Sequence, residues 1–287
     1  MKILSFGSAG ALGTALEQVC AEENVDCIAL TRAEADVTDI DAVIAALDQH
    51  QPNYVVNCVA IIGINICEEQ PLRAFELNAV VPMRIAMACA ERDICVVQPS
   101  SHAVFDGTKP DYYTESDPPN PINVYGQSKA VGEWFAQQYC PRHYVVRFPT
   151  MFGPRRNASP GFADKMMQLL LDGKPLRVPD DKLDSLTYTI DVARCLVKVL
   201  RQQQPFGVYH LANAGKASYF EFICKMAELL KKAGMLSTEP QIERVSDADF
   251  PSLGQKPLKT ALSSNILRPL RGWEEALAEY IAGLASA

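Results

Sequence analysis

The sequence predicts an α/β protein with a Rossmann-type, doubly wound parallel sheet and a smaller C-terminal α/β part. Three observations support this prediction. A strand, a glycine-rich turn and a helix open the chain, and short apolar strands then alternate with helices through about residue 150. Beyond that point the alternation becomes irregular. Strands that alternate with helices are typical of parallel sheets joined by right-handed crossovers.

Composition and charge narrow the classes of function. The net charge of −7 argues against nucleic acid or a membrane surface as a partner, since both favour basic patches. No apolar run reaches the ~18 residues that span a bilayer, and the glycine-rich turn comes too early for a signal peptide. The nine cysteines and four histidines show no metal-ligand spacing. We therefore predict reduced thiols, no metal site and a cytoplasmic location.

The first strand, residues 3–6, runs directly into the glycine-rich turn. Gly7, Gly10 and Gly13 follow the spacing Gly-x-x-Gly-x-x-Gly, and a helix should continue through about Cys20. Glycines at such a turn allow the backbone to approach a pyrophosphate, and the helix N-terminus supplies N–H groups and a favourable dipole. This order of elements predicts a dinucleotide-binding site.

The end of the second strand, residues 27–30, indicates which dinucleotide binds. An acidic residue there usually holds the ribose hydroxyl of NAD, whereas this chain has Thr31 and Arg32. An arginine can pair with the 2′-phosphate of NADP, so we predict NADP and leave NAD open. A solvated arginine is the alternative interpretation. Asp36 is a candidate for the adenine amino group, and Thr38 or Asp39 should cap the next helix.

The next two strands should end at the same crevice, because ligands lie at the carboxyl ends of parallel strands. Residues 54–60 form a nearly continuous apolar run, typical of a strand buried on both faces. A helix is expected from about Pro71 to Arg92. The following strand, residues 94–98, leads to Ser100 and Ser101, and a hydroxyl group at that end would face the same crevice.

Tyr125 and Lys129 are four residues apart, so in a helix their side chains lie on one face. A nearby cation stabilises a phenolate, and we expect Lys129 to lower the pKa of Tyr125. The phenol could then exchange a proton with a carbonyl or an alcohol. On spacing alone, a surface pair on an ordinary helix remains an alternative. The candidate cofactor-binding residues are Gly7, Ser8, Ala9, Gly10, Ala11, Leu12, Gly13, Thr31, Arg32, Asp36, Val37, Cys58, Val59, Ala60, Asn78, Ser100, Tyr125 and Lys129.

The second half of the chain predicts a smaller part beside the sheet. Residues 144–147 form another strand. Helices are expected at residues 161–172 and 189–201, from Ser218 with a capping box to Glu221, and from Trp273. Short strands are expected at residues 176–178 and 207–211. We predict a nucleotide-binding domain of residues 1–150 plus about 183–205, and a substrate-binding part of residues 151–182 and 206–287.

These features together resemble the extended short-chain dehydrogenase/reductases, and more narrowly the dTDP-4-dehydrorhamnose reductases. The resemblance covers nearly the whole chain. It rests on the glycine turn, Ser101, Tyr125 and Lys129, and on five further runs: residues 36–39, 104–107, 120–126, 208–213 and 273–277.

The resemblance implies NAD(P)H-dependent reduction of a nucleotide-linked keto sugar. Tyr125 would act as general acid, Ser101 would bind the same oxygen, and Lys129 would bind the nicotinamide ribose. Two other functions stay open: a sugar-nucleotide epimerase or dehydratase of the same superfamily, and a non-catalytic NADP-binding regulatory subunit like that of methionine adenosyltransferase. A homodimer is left open as the assembly. The candidate substrate-binding residues are Val104, Phe105, Thr150 and Phe152.

The chain departs from this family at positions that face the sugar. Ala103 stands where the reductases usually have a tyrosine, and Thr150 where they have a tryptophan. These departures predict a sugar pocket of different shape. His102 follows Ser101, but strand alternation would point it away from the site. Arg155 and Arg156 are candidates for a substrate pyrophosphate, with a solvated loop as the alternative.

Overall fold

A six-stranded parallel sheet forms the centre of the computed structural model, which describes residues 1–156 and 160–285. The strands in chain order are β1 (Lys2–Phe6), β2 (Asp26–Leu30), β3 (Tyr54–Asn57), β4 (Cys95–Ser101), β5 (His143–Phe148), β6 (Met151–Phe152), β7 (Leu176–Pro179), β8 (Leu183–Asp184), β9 (Thr187–Tyr188), β10 (Gly207–His210), β11 (Asn213–Ala214), β12 (Ala217–Ser218), β13 (Ile242–Val245) and β14 (Leu270–Gly272). The sheet order is β10-β5-β4-β3-β1-β2, and every neighbouring pair is parallel. The predicted fold class is confirmed.

Helices cover both faces of this sheet. They are α1 (Ala11–Glu22), α2 (Ile40–His50), α3 (Ile64–Glu69), α4 (Pro71–Phe75), α5 (Val81–Ala90), α6 (Val124–Tyr139), α7 (Phe162–Leu171), α8 (Thr189–Arg201), α9 (Tyr219–Lys232) and α10 (Trp273–Ala285). Alternate strand residues enter different cores: Ile3 and Val56 pack with α1 and α8, whereas Leu4 and Val55 pack with α2 and α5. Burial on both faces explains why these strands read as continuous apolar runs.

Several helix ends follow from local capping. Asp39 accepts a hydrogen bond from the Asp41 backbone N–H, and so caps α2 as predicted. Ser218 and Glu221 form the predicted capping box at the start of α9. No helix within residues 1–156 and 160–285 has the length and apolar character that crossing a bilayer requires.

The predicted single helix from Pro71 to Arg92 is interrupted. One π-helical turn, Glu76–Val80, separates α4 from α5. Pro82 lacks an N–H, so it cannot donate to the Asn78 carbonyl as a helical residue at that position would. A Cβ built on Gly132 of α6 would lie 2.1 Å from that same carbonyl oxygen. The π turn is therefore pressed against α6, and such turns are frequent at functional sites.

The C-terminal part consists of short strand pairs and three helices. The pairs are β6 with β9, β7 with β13, β8 with β12, and β11 with β14. Helices α7, α9 and α10 pack around them. The strand β10 belongs to the central sheet, where it pairs with β5. The predicted division placed β10 in the substrate-binding part and β8 and β9 in the nucleotide-binding domain, whereas β10 lies in the central sheet and β8 and β9 pair with strands outside it. The division of the chain into two domains stays a proposal.

Candidate active site

The glycine-rich turn is fixed tightly between β1 and α1. Gly7 has a φ of +75°, and the N–H groups of Gly7 and Ser8 both donate to the Leu30 carbonyl at the end of β2, at 2.9 and 3.2 Å. A Cβ on Gly13 would lie 2.5 Å from the Ser8 Cα, so only glycine allows α1 to pack this closely. The turn and the helix therefore hold one fixed geometry.

This turn has the properties of a phosphate site. Gly10 is the N-cap of α1 and supplies no side-chain cap, so the first N–H groups of the helix have no side-chain acceptor there. The Ser8 hydroxyl is buried and lacks a hydrogen-bond partner within the described residues. Orphaned donors at a helix N-terminus favour an anion. The residues present therefore fit a dinucleotide pyrophosphate.

The loop after β2 is held by its own acidic side chains. Glu34 accepts hydrogen bonds from the backbone and the hydroxyl of Thr31, at 2.8 and 2.7 Å. Asp36 accepts two from Thr38, which lowers the pKa of Asp36, and it also pairs with Arg32 at 3.1 Å. The Arg32 side chain is 77% exposed. Arg32 can therefore reach a ligand phosphate, whereas the Asp36 carboxylate already has three donors.

The segment that follows β3 lies directly on the glycine turn. A Cβ on Gly7 would be 2.8 Å from Val59 Cγ2 and 3.1 Å from the Cys58 carbonyl carbon. Asn78 holds the continuation of this segment, because its amide both donates to and accepts from the backbone of Ile61, each at 3.0 Å. Asn78 is 1% exposed and so shapes this loop from behind. We retain it in the site as a residue that supports the cofactor loop.

Helix α6 brings Tyr125 and Lys129 to the end of β4. Asn123 caps the helix through the Gly126 N–H, and a Cβ on Gly126 would lie only 2.1 Å from the Ala103 carbonyl oxygen. This close approach brings the Tyr125 phenol within hydrogen-bonding reach of the Ser101 hydroxyl. One turn further on, Lys129 Nζ donates to the Pro99 carbonyl at 2.7 Å. The structure thus brings the three predicted catalytic residues together.

The electrostatics of this group differ from the prediction. Burial raises the pKa of Tyr125 to about 12, and the hydrogen bond with Ser101 opposes this only in part. The expected lowering by Lys129 is therefore wrong for this arrangement, since desolvation of the phenolate dominates. Burial also lowers the pKa of Lys129 to about 8, against the charge of Glu133. At neutral pH the phenol therefore keeps its proton.

A buried ion pair lies close to Lys129, and the charge of its carboxylate favours the ammonium form of that lysine. Glu133, one turn after Lys129 on α6, pairs with Arg147 of β5 through two hydrogen bonds of 2.9 and 2.7 Å. Both side chains are almost fully buried. The sequence predicted β5 and α6 but gave no signal that these two residues meet.

Three of the predicted substrate-binding residues cannot contact a substrate here. Val104, Phe105 and Phe152 are each 0% exposed and lie inside hydrophobic clusters. Phe105 stacks on Tyr113, with ring centroids 4.2 Å apart. The resemblance implied that these residues bind the substrate, but in this structure their side chains form part of the hydrophobic core. Their assignment to the substrate-binding site is therefore not supported. Ala103 is buried as well.

Thr150 is the predicted substrate residue that stays accessible, and it is half-buried. Its N–H donates to Asp184 at 2.9 Å, and its hydroxyl shares a hydrogen bond of 2.7 Å with the Tyr219 hydroxyl. Lys182 Nζ lies 5.0 Å from the centroid of that tyrosine ring. The surroundings of the Thr150 side chain are therefore polar.

The two arginines after β6 have partners within the protein. Arg155 pairs with Asp164 at the start of α7, at 2.8 Å. Arg156 donates to the Ser8 carbonyl at 3.2 Å and also pairs with Glu17 of α1. Arg156 therefore lies against the glycine turn, which the sequence did not predict. These contacts do not support an assignment of either arginine to a substrate pyrophosphate.

The whole chain is similar to one protein family. The family model of the RmlD substrate binding domain matches residues 1–286. Among relatives, the dTDP-4-dehydrorhamnose reductase of Mycolicibacterium smegmatis is 31% identical and is aligned over 100% of this chain and 86% of its own length. The dTDP-4-keto-6-deoxy-D-glucose reductase of Streptomyces niveus is also 31% identical, over 96% of this chain and 95% of its own.

A solved structure shares this architecture over its full length. It is a dTDP-4-dehydrorhamnose reductase from Bacillus anthracis in complex with NADP, with a TM-score of 0.89 and 25% sequence identity. The alignment covers 99% of this chain and 100% of that one. The similarity therefore includes both the central sheet and the C-terminal part.

Proposed function

Because the chain belongs to the RmlD substrate binding domain family, we propose that it is an NADP-dependent reductase of a nucleotide-linked keto sugar. The observation that carries this proposal is the convergence of Tyr125 and Lys129 of α6 with Ser101 at the end of β4, at the same edge of the sheet as the glycine turn. The purified protein is expected to oxidise NADPH only when a nucleotide-linked keto sugar is supplied.

The proposed chemistry divides between cofactor and protein. When bound, NADPH supplies a hydride to the carbonyl carbon of the sugar. Tyr125, which holds its proton at neutral pH, gives that proton to the carbonyl oxygen as negative charge develops there. Ser101 donates a hydrogen bond to the same oxygen and keeps it in line. The ammonium of Lys129 stabilises the phenolate that remains.

The sugar is proposed only as a class. The two relatives described above are equally identical to this chain but are named for different substrates, dTDP-4-dehydrorhamnose and dTDP-4-keto-6-deoxy-D-glucose. The overall sequence identity to these relatives therefore does not distinguish between the two substrates. Both named substrates are dTDP-linked 4-keto-6-deoxy sugars, and we propose that class for this chain. The epimerase, dehydratase and regulatory-subunit alternatives are less well supported, because these relatives are named as reductases.

Arg32→Ala is expected to weaken NADPH binding by roughly tenfold and to leave NADH binding unchanged. The reason is the loss of a charge-assisted contact to the 2′-phosphate, which NADH lacks. Titration of both cofactors gives the two dissociation constants. Arg73→Ala is the matched control, because Arg73 of α4 forms a similar exposed pair with Glu76 of the π turn. Equal affinities of the parent protein for NADPH and NADH would remove the proposed role of Arg32.

We further propose that the protein forms a homodimer. Helices α5 and α6 pack side by side within one chain, and together they would form the interface with the second copy. Met87, Trp134 and Tyr139 on these helices are large apolar residues that are exposed in the single chain. Exposed apolar groups of this kind favour an interface. Trp134→Glu is expected to shift the sedimentation coefficient from dimer to monomer, whereas Leu253→Glu, elsewhere on the surface, should not. A monomeric parent protein would contradict this proposal.

We also propose a cytoplasmic location. All nine cysteines are free, as expected of a protein in a reducing compartment. NADPH, the proposed reductant, must also be available where the protein works.

A further inference from the structure

One buried carboxylate connects three segments around the candidate active site. Asp184 of β8 is 0% exposed. Its Oδ1 lies 3.0 Å from His102 Nδ1 and accepts the Ser185 N–H, while its Oδ2 accepts the Thr150 N–H at 2.9 Å. Thr150 follows β5, and His102 follows the candidate catalytic Ser101 at the end of β4. A single side chain thus ties the C-terminal part to two neighbouring strands of the sheet.

The carboxylate is ionised in this environment. Burial disfavours its charge, but the interactions with His102 and Thr150 outweigh burial, so the pKa of Asp184 lies below its ordinary value. An ionised carboxylate only accepts hydrogen bonds, and therefore His102 Nδ1 must carry the proton. The imidazole is held in one tautomer and one orientation, with its side chain 16% exposed.

The contact between His102 and Asp184 also constrains Ser101, the residue before His102. His102 opens a short 3₁₀ turn, His102–Val104, and the Ser101 hydroxyl accepts the Ala103 N–H at 3.2 Å. Because Ser101 caps the same turn that His102 begins, a shift of His102 moves the Ser101 hydroxyl. Strand alternation alone predicted that His102 points away from the site. The turn replaces the strand at this residue, which is why that prediction is incomplete.

We propose that His102 and Asp184 are positioning residues, which fix the Ser101 hydroxyl against the substrate carbonyl by tying the end of β4 to β8. This inference rests on the proposed reductase function. The expected contribution is to kcat, because Ser101 binds the oxygen most strongly when it carries negative charge in the transition state. The glycine turn lies at a different strand, so NADPH affinity should be unaffected.

His102→Leu removes the N–H donor and is expected to lower kcat roughly tenfold, with the dissociation constant of NADPH unchanged within about twofold. His102→Asn, whose amide can donate from a similar position, should recover most of the loss. His143→Leu is the matched control. His143 is also half-buried and bonds a carbonyl, that of Cys140, through Nδ1 at 2.7 Å, but it lies at the opposite end of the sheet.

The background of Ser101→Ala separates positioning from general stability. If His102 acts through Ser101, adding His102→Leu to Ser101→Ala should cause no further loss of kcat. A full tenfold loss in that background, or no loss in the single variant, would overturn the proposal. Asp184→Asn should reproduce the effect of His102→Leu, provided that its melting temperature shows a folded protein.

Hydrogen exchange tests the tie without any turnover. In His102→Leu, the backbone amides of residues 101–104 should exchange faster than in the parent protein, while those of residues 7–13 should not change. Unchanged exchange at residues 101–104 would overturn the proposal even if the reductase activity is established. If the parent protein reduces no keto sugar, the proposed function fails, and the exchange result still decides whether the tie exists.

Discussion

Tyr125→Phe is expected to lower kcat for reduction by roughly 10²-fold or more, with little change in the affinity for NADPH. The substitution removes one oxygen, and with it the proton donor to the developing alkoxide. Phenylalanine fills the same space, and α6 keeps its N-terminal cap at Asn123, so the fold should be preserved. Single-turnover measurements with the keto sugar and NADPH give the rate of the chemical step.

The matched control is Tyr139→Phe, because Tyr139 lies at the other end of the same helix and is exposed. This variant should keep the parent rate. A Tyr125→Phe protein with nearly the parent rate would show that another group donates the proton, and the assignment of Tyr125 as general acid would be wrong.

The pH dependence of kcat/KM is expected to follow the loss of the proton from the Lys129 ammonium group. The pKa of Lys129 is lowered to about 8 by burial, so its positive charge is complete at low pH and is lost as pH rises through that value. The pKa of Tyr125 is about 12, so the phenol keeps its proton over the same range. The rate of reduction should therefore be constant below about pH 7 and should fall above about pH 8.

Lys129→Met and Lys129→Arg test this assignment in different ways. Methionine removes the charge, and kcat/KM should fall by roughly 10²-fold and lose the decline near pH 8. Arginine keeps a charge that does not titrate in this range, so whatever activity remains should also be independent of pH there. If the decline near pH 8 persists in Lys129→Met, it belongs to a different group.

Local features of the sequence predicted much of the nucleotide-binding region. The close packing of Gly13 on Ser8 and the alternation of strands and helices depend on residues that are near one another in the chain. The four-residue spacing of Tyr125 and Lys129 fixes a shared helix face in the same way. The capping box at Ser218 is equally local. For such features the residue types themselves determine the geometry.

The features that the sequence did not predict depend on contacts between distant residues or on burial. His102 and Asp184 are 82 residues apart, and no spacing rule links them. The pKa of Tyr125 is raised by the surrounding protein, which desolvates the phenolate, and the interaction with Ser101 offsets this only in part. Phe105 and Phe152 occupy runs that resemble a substrate wall, but only packing shows that both rings face the core.

The most direct test of the central claim is transfer of deuterium from labelled NADPH to a keto-sugar nucleotide. The purified protein would be incubated separately with dTDP-4-dehydrorhamnose and dTDP-4-keto-6-deoxy-D-glucose, with Tyr125→Phe as the inactive control. We predict that at least one sugar gains deuterium at the former carbonyl carbon, with equal consumption of the cofactor. If neither sugar is reduced while a partner enzyme co-purifies with the protein, the regulatory-subunit alternative would be favoured and the reductase function contradicted.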